Sequence, residues 1–75
     1  MKIEEAFGVI LKKYRMKLEL SQEELALRSE LDRTYISLLE RGKRKPTINT
    51  IFSLSKELSI NPNKLIEEVE KLLKS

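Results

Sequence analysis

The sequence predicts an all-α protein in which five short helices form one compact domain over residues 1–75. Apolar residues recur three or four positions apart along the chain, which is the spacing of amphipathic helices. No alternating apolar and polar run, and no Asn-Gly or Asp-Gly turn, indicates a β-hairpin. Helix start signals recur at short intervals, so each helix is expected to be short.

The first two helices are predicted from an apolar stripe and a capping box. The stripe of helix 1 comprises Ile3, Phe7, Ile10, Tyr14 and Leu18. Helix 1 is expected to end near Glu19, because Ser21 and Glu24 after it have the spacing of a capping box. In such a box each of the two side chains accepts a hydrogen bond from the backbone N–H of the other residue. Helix 2 is predicted to run from this box to about Ser29.

Two further start signals predict helices 3 and 4. Asp32 is the expected N-cap of helix 3, which continues to about Arg41 and stops at Gly42, a residue type that often follows a helix end. Thr47 is the expected N-cap of helix 4. The inner side of helix 4 is expected to comprise Ile48, Ile51, Leu54, Ser55 and Leu58.

Helix 5 is predicted at about residues 62–73, after Asn61 as its N-cap and with Pro62 at its first position. Helix 5 and the outer side of helix 4 carry more apolar residues than are needed for one stripe facing the core. A domain this small often gains stability from a partner subunit, so this end is the expected interface with such a subunit. The predicted interface residues are Phe52, Leu65, Ile66, Val69 and Leu73. The alternative is that Leu65 and Val69, together with Leu72, only close the core of the monomer.

The residue types exclude several classes of chemistry. The chain has no cysteine and no histidine, which removes disulfides, thiolate or imidazole metal ligands and the commonest nucleophile–base pairs. It also lacks the spacing of a P-loop. We therefore expect neither an enzyme nor a bound metal or cofactor. No apolar run approaches the ~20 residues of a membrane-spanning helix, and the amino terminus lacks signal-peptide order, which predicts a soluble, cytoplasmic protein.

The excess positive charge is confined to one window of the chain. The formal net charge is +3, yet residues 33–45 alone hold five basic residues and one acid, a balance of +4. The basic residues of this window are Arg33, Arg41, Lys43, Arg44 and Lys45. A localised basic patch is typical of a protein that binds a polyanion. The alternative is a solvated basic loop without a partner.

Helices 2 and 3 are separated by about three residues, which is the length of the turn in a helix-turn-helix. Ala26 is expected where the two helices pass closest, and Ile36 and Leu39 are expected to anchor helix 3. The opposite face of helix 3 spans about 140° and carries a mixture of guanidinium, hydroxyl and apolar groups. A helix that enters the DNA major groove carries this mixture, because these groups contact guanine, either base edge and the thymine methyl group respectively. The residues of this face are Arg33, Thr34, Ser37, Leu38 and Arg41.

The stretch LSQEELALRSELDRTYISLLERGKRKPTINTIFSLSKELSI resembles the lambda and 434 repressor-like helix-turn-helix domains, the Cro/C1 or XRE type. The resemblance covers roughly residues 7–66 and rests on the motifs LSQEELA, YIS and ERGKRKP and on a fourth helix ending in LSI. Within this group, LDRTYIS followed by ERGKR is similar to the controller proteins of restriction–modification systems. Phage-type repressors and antitoxin-like helical protein-interaction modules share most of these motifs and are the alternatives.

The resemblance implies a transcriptional regulator that binds double-stranded operator DNA as a homodimer on a twofold site. It further implies action on the promoter of the protein's own operon, with RNA polymerase as a further partner. Arg33 and Thr34 match base-reading positions of the family, and Ser37 and Leu38 are added because they lie on the same face of helix 3. For Ser37, a phosphate contact is the alternative. For Leu38, a role in packing or in the dimer is the alternative.

The DNA backbone is expected to be contacted on both sides of helix 3. Gln22 matches a family position that holds a phosphate, and Tyr35 matches a tyrosine of the controller proteins. The full predicted set is Gln22, Tyr35, Arg41, Lys43, Arg44, Lys45, Thr47 and Asn49. For Tyr35, a ring half-packed against helix 2 is the alternative.

Two further features have structural interpretations. By family match, Arg15 of helix 1 pairs with Glu40 late in helix 3, which would explain an acid beside a phosphate-binding surface. The family usually has glycine at the first turn residue, where this chain has Glu30. That position often adopts the left-handed conformation, which costs a non-glycine residue roughly 1–2 kcal/mol. Either the turn tolerates this strain or its geometry shifts.

Overall fold

A computed structural model describes residues 1–75 and contains five α-helices joined by short loops. This architecture confirms the all-α class and the five helices expected from the sequence. The helices are α1 (Ile3–Lys17), α2 (Gln22–Ser29), α3 (Arg33–Glu40), α4 (Ile48–Glu57) and α5 (Pro62–Lys74).

Side-chain caps begin three of the helices at the predicted residues. Ser21 Oγ accepts from the backbone N–H of Glu24 at 3.0 Å, and Glu24 Oε1 accepts from the N–H of Ser21 at 2.9 Å. Asp32 and Thr47 accept from backbone N–H groups inside α3 and α4 at 2.9 and 3.1 Å. Asn61 differs from the prediction, because its side chain makes no capping bond. Pro62, which follows it, has no N–H and its ring already fixes a helical φ.

Four helices are followed by a residue with left-handed backbone geometry. After α3, the N–H groups of Gly42 and Lys43 bond back to carbonyls in the last turn of the helix, at 3.1 and 2.9 Å. Only one of the four left-handed residues is a glycine, and the other three each carry a Cβ atom that disfavours this geometry by roughly 1–2 kcal/mol. The four residues and their φ angles are Glu19 (58°), Glu30 (56°), Gly42 (71°) and Ser59 (57°).

The core lies where the helices meet, and α1 approaches the carboxyl end of α3 closely. A Cβ atom placed on Gly8 of α1 would lie 2.5 Å from the carbonyl oxygen of Leu39 and 2.6 Å from that of Glu40. Glycine at this position therefore permits the contact between α1 and α3. The buried apolar residues are Ala6, Phe7, Ile10, Leu11, Leu20, Leu25, Ala26, Ile36, Leu39, Leu54, Leu58, Leu65 and Val69.

Several apolar residues lie elsewhere than predicted. Leu65 and Val69, which were expected at a dimer interface, are only 0% and 5% exposed. That prediction was wrong, because a partner subunit cannot contact side chains that the monomer's own core already covers. Ile3, Leu18 and Ile48 were expected on inner faces but are exposed, because they lie at or just beyond the ends of their helices.

Candidate nucleic-acid interface

The α2–turn–α3 unit has the geometry of a helix-turn-helix. Ala26 is buried where the two helices pack, and its carbonyl accepts the N–H of Leu31 in the turn at 2.9 Å. Ile36 and Leu39 are both 0% exposed, so they fix α3 to the core along one side. Glu30 adopts the left-handed conformation, so the turn keeps the usual geometry and tolerates the strain.

The opposite side of α3 presents the predicted base-reading residues. Arg33 and Thr34, in the first turn of the helix, are exposed, and Ser37 and Leu38 are half-buried. Because α3 begins at Arg33, these side chains lie at its amino-terminal end and along its outer face. The structure therefore brings the four residues together on one accessible surface.

Tyr35 is half-buried and points toward α4. Its ring packs against the core, and its hydroxyl lies 3.4 Å from Thr50 Oγ1. Thr50 Oγ1 also accepts a hydrogen bond from the hydroxyl of Thr47 at 3.0 Å. The three hydroxyl groups connect α3 to the amino terminus of α4, a connection that sequence reasoning missed. A tyrosine and two threonines at this spacing carry no recognisable sequence signal.

The remaining polar candidates surround α3. Arg41, Lys43, Arg44 and Lys45 are all exposed and follow the helix as one segment. Thr47 and Asn49, at the start of α4, are also exposed. None of the basic side chains of residues 33–45 forms an ion pair within the protein, so their charge is available to an external anion.

Glu40, the single acidic residue of residues 33–45, is neutralised by a partner inside the protein. Arg15 Nε donates to Glu40 Oε2 at 2.6 Å, and Arg15 Nη2 donates to Glu40 Oε1 at 3.0 Å. The two side chains are only 11% and 4% exposed, and the bond to Glu40 raises the pKa of Arg15. Gln22 Nε2 also donates to Glu40 Oε1 at 3.0 Å. Glu40 therefore places little negative charge on the outer surface.

A second, apolar surface lies on α4 and α5. Phe52, Ile66 and Leu73 of the predicted interface are 58%, 45% and 37% exposed. Ile48, which sequence reasoning placed inside, is 70% exposed on the same side of α4. Its spacing of four residues from Phe52 is the signal that would have placed it there. Ile48, Phe52 and Ile66 line one depression between α4 and α5, and Leu73 lies two helical turns after Ile66 on the same face of α5. We call these four residues the apolar surface.

No group of three or more acidic side chains is close enough to hold a metal ion. None of the five helices is both long and apolar enough to span a bilayer.

The fold and this surface define a helix-turn-helix protein. The chain belongs to the helix-turn-helix family, whose model matches residues 11–65. The family consists of DNA-binding regulators rather than enzymes.

Its relatives include restriction–modification controller proteins. The chain is 42% identical over 66 residues to control protein C.MunI from Mycoplasma sp, covering 87% of this chain and 89% of that protein. Controller protein C.AhdI from Aeromonas hydrophila superposes with a TM-score of 0.80 at 40% identity, over 83% of this chain and 94% of that one. Controller protein C.Esp1396I, solved as a tetramer on its natural 35-base-pair operator, superposes with a TM-score of 0.89 at 32% identity. That match covers 100% of this chain and 99% of that chain.

Proposed function

We propose that this protein is a sequence-specific double-stranded DNA-binding transcriptional regulator that acts as a restriction–modification controller on its own operon. The observation that carries the proposal is the outer face of α3, which continues into exposed basic residues that have no ion-pair partner inside the protein. The one acid of this segment, Glu40, is paired with Arg15. The surface is therefore suited to the negative charge of a DNA backbone.

In this proposal the residues of the interface have two kinds of role. Arg33, Thr34, Ser37 and Leu38 contact base edges, which supplies sequence specificity. Backbone contacts come from Gln22, Tyr35, Arg41, Lys43, Arg44, Lys45, Thr47 and Asn49, and these fix the position of α3 without distinguishing sequences. Where occupancy of the operator activates transcription, RNA polymerase is the further partner.

The protein is proposed to act as a homodimer through the apolar surface. One recognition helix spans few base pairs, whereas a twofold dimer places two such helices ~34 Å apart in successive major grooves. Exposed apolar side chains that lie together are typical of protein interfaces. At tens of micromolar protein, the wild type is expected to sediment as a dimer and the Phe52→Ser variant as a monomer. Wild-type protein that sediments only as monomer under those conditions would argue against the dimer.

A duplex-binding titration at two salt concentrations tests the DNA proposal. Lys43→Ala is expected to weaken binding similarly for all sequences and to reduce the salt slope by about one unit. Arg33→Ala is expected to lose about 1–3 kcal/mol of binding free energy, mainly on the preferred sequence. The matched control is Lys64→Ala, which removes a lysine on α5 that already pairs with Glu67. Salt-independent binding would contradict the electrostatic basis of the proposal and would favour a protein-interaction module.

A further inference from the structure

The Glu40 carboxylate is the point at which three helices are joined by hydrogen bonds. It lies in the last residue of α3 and accepts two bonds from Arg15 of α1 and one from Gln22, the first residue of α2. Arg15 Nη1 also donates to the carbonyl of Leu20, in the loop between α1 and α2, at 2.7 Å. The loop that leads into α2 is thus fixed by the guanidinium that holds Glu40.

These bonds determine how the Gln22 amide is oriented. A side-chain amide has two N–H hydrogens and one acceptor oxygen, and only the nitrogen can face a carboxylate favourably. Rotating the Gln22 amide by half a turn would bring its oxygen against Glu40 Oε1. The bond to Glu40 therefore holds the nitrogen in place, uses one of its two hydrogens and leaves the second unpaired within the protein.

We propose that Glu40 is a positioning residue for the DNA backbone contact made by Gln22. In this arrangement Arg15 holds Glu40, Glu40 orients the amide of Gln22, and the second N–H of that amide is presented to a phosphate. This inference rests on the proposed DNA-binding function. Because Glu40 also ends α3, the phosphate contact of α2 and the placement of α3 in the major groove depend on the same carboxylate.

The test compares the effect of Gln22→Ala in two backgrounds. The first is the wild-type protein, and the second is the double variant Arg15→Met/Glu40→Met, in which apolar side chains replace the whole buried pair. Such replacement of both partners is usually tolerated by the fold, unlike removal of one. The probe is a duplex that the wild-type protein has selected from a random pool. Thermal melting of each variant confirms that the protein is folded before its dissociation constant is measured.

Gln22→Ala is expected to weaken binding about tenfold in the wild-type background, the effect of losing one oriented, charge-assisted bond. In the Arg15→Met/Glu40→Met background it should weaken binding less than about twofold, because the amide is no longer oriented. An equal loss in both backgrounds, or no loss in the wild-type background, would overturn the positioning role. Failure of the wild-type protein to select any duplex would instead refute the proposed function itself.

An NMR measurement on the wild-type protein needs no variant of the ion pair. The two side-chain N–H signals of Gln22 are expected to respond differently when the selected duplex is added. The signal of the hydrogen bonded to Glu40 should stay in place, and the other should shift because it meets a phosphate. Large shifts of both signals would show that the bond to Glu40 breaks on binding, which would contradict the proposal.

Discussion

Replacement of Glu30 by glycine is expected to stabilise the protein without weakening DNA binding. Glu30 has φ of 56° and ψ of 39°, and its exposed side chain makes no hydrogen bond or ion pair. Relief of the left-handed strain contributes roughly 1–2 kcal/mol, and the greater freedom of glycine in the unfolded chain offsets roughly 0.5–1 kcal/mol of this. The net gain of about 1 kcal/mol raises the melting temperature by about 4–8 °C for a domain of this size.

Differential scanning calorimetry and a duplex titration together test this expectation. Glu30→Ala is the matched control, because alanine removes the charged side chain but keeps the Cβ atom that causes the strain. Glu30→Ala should therefore leave the melting temperature nearly unchanged. An equal rise in both variants would assign the effect to the carboxylate rather than to the backbone. A lower melting temperature for Glu30→Gly would refute the strain argument.

Three other substitutions test the packing and the caps. Gly8→Ala should destabilise the protein by about 1–3 kcal/mol in urea unfolding, because the new Cβ would meet backbone carbonyls of α3 at 2.5–2.6 Å. Arg15→Met should cost about 3–5 kcal/mol, because it leaves Glu40 buried without its partner, and unchanged stability would contradict this. Hydrogen bonds from Ser21 lower the pKa of Glu24, so Glu24 stabilises the fold above about pH 4.5 and this contribution is lost as the pH falls through the lowered pKa. Glu24→Gln should therefore lose less melting temperature between about pH 6 and pH 3 than the wild type, and an identical loss would contradict this role.

Local signals predicted the helices well because each start is specified by a few neighbouring residues. The Ser21–Glu24 box and the caps at Asp32 and Thr47 are present as expected. The resemblance to the family marked position 30 as one that often adopts the left-handed conformation but left open whether Glu30 would do so, and the structure shows that it does. The caps depend on hydrogen bonds between residues at most three positions apart, so the sequence displays both partners directly.

Features that depend on how the helices pack against one another were harder to predict from the sequence. Periodicity shows that α5 has an apolar stripe, but not whether the stripe faces the monomer core or a partner, so Leu65 and Val69 were misplaced. Ile48 was placed inside for the same reason. The bond from Gln22 to Glu40 joins residues 18 positions apart on different helices, and no local pattern encodes it.

We claim that the outer face of α3 distinguishes DNA sequences, and selection of duplexes from a random pool tests this. The wild-type protein is expected to enrich a twofold motif whose half-sites lie about one helical turn, or a multiple of it, apart. Arg33→Ala is expected to enrich the same motif with the preference lost at one base of each half-site. An unchanged base preference for Arg33→Ala, or binding by the wild type that enriches no motif, would contradict the claim.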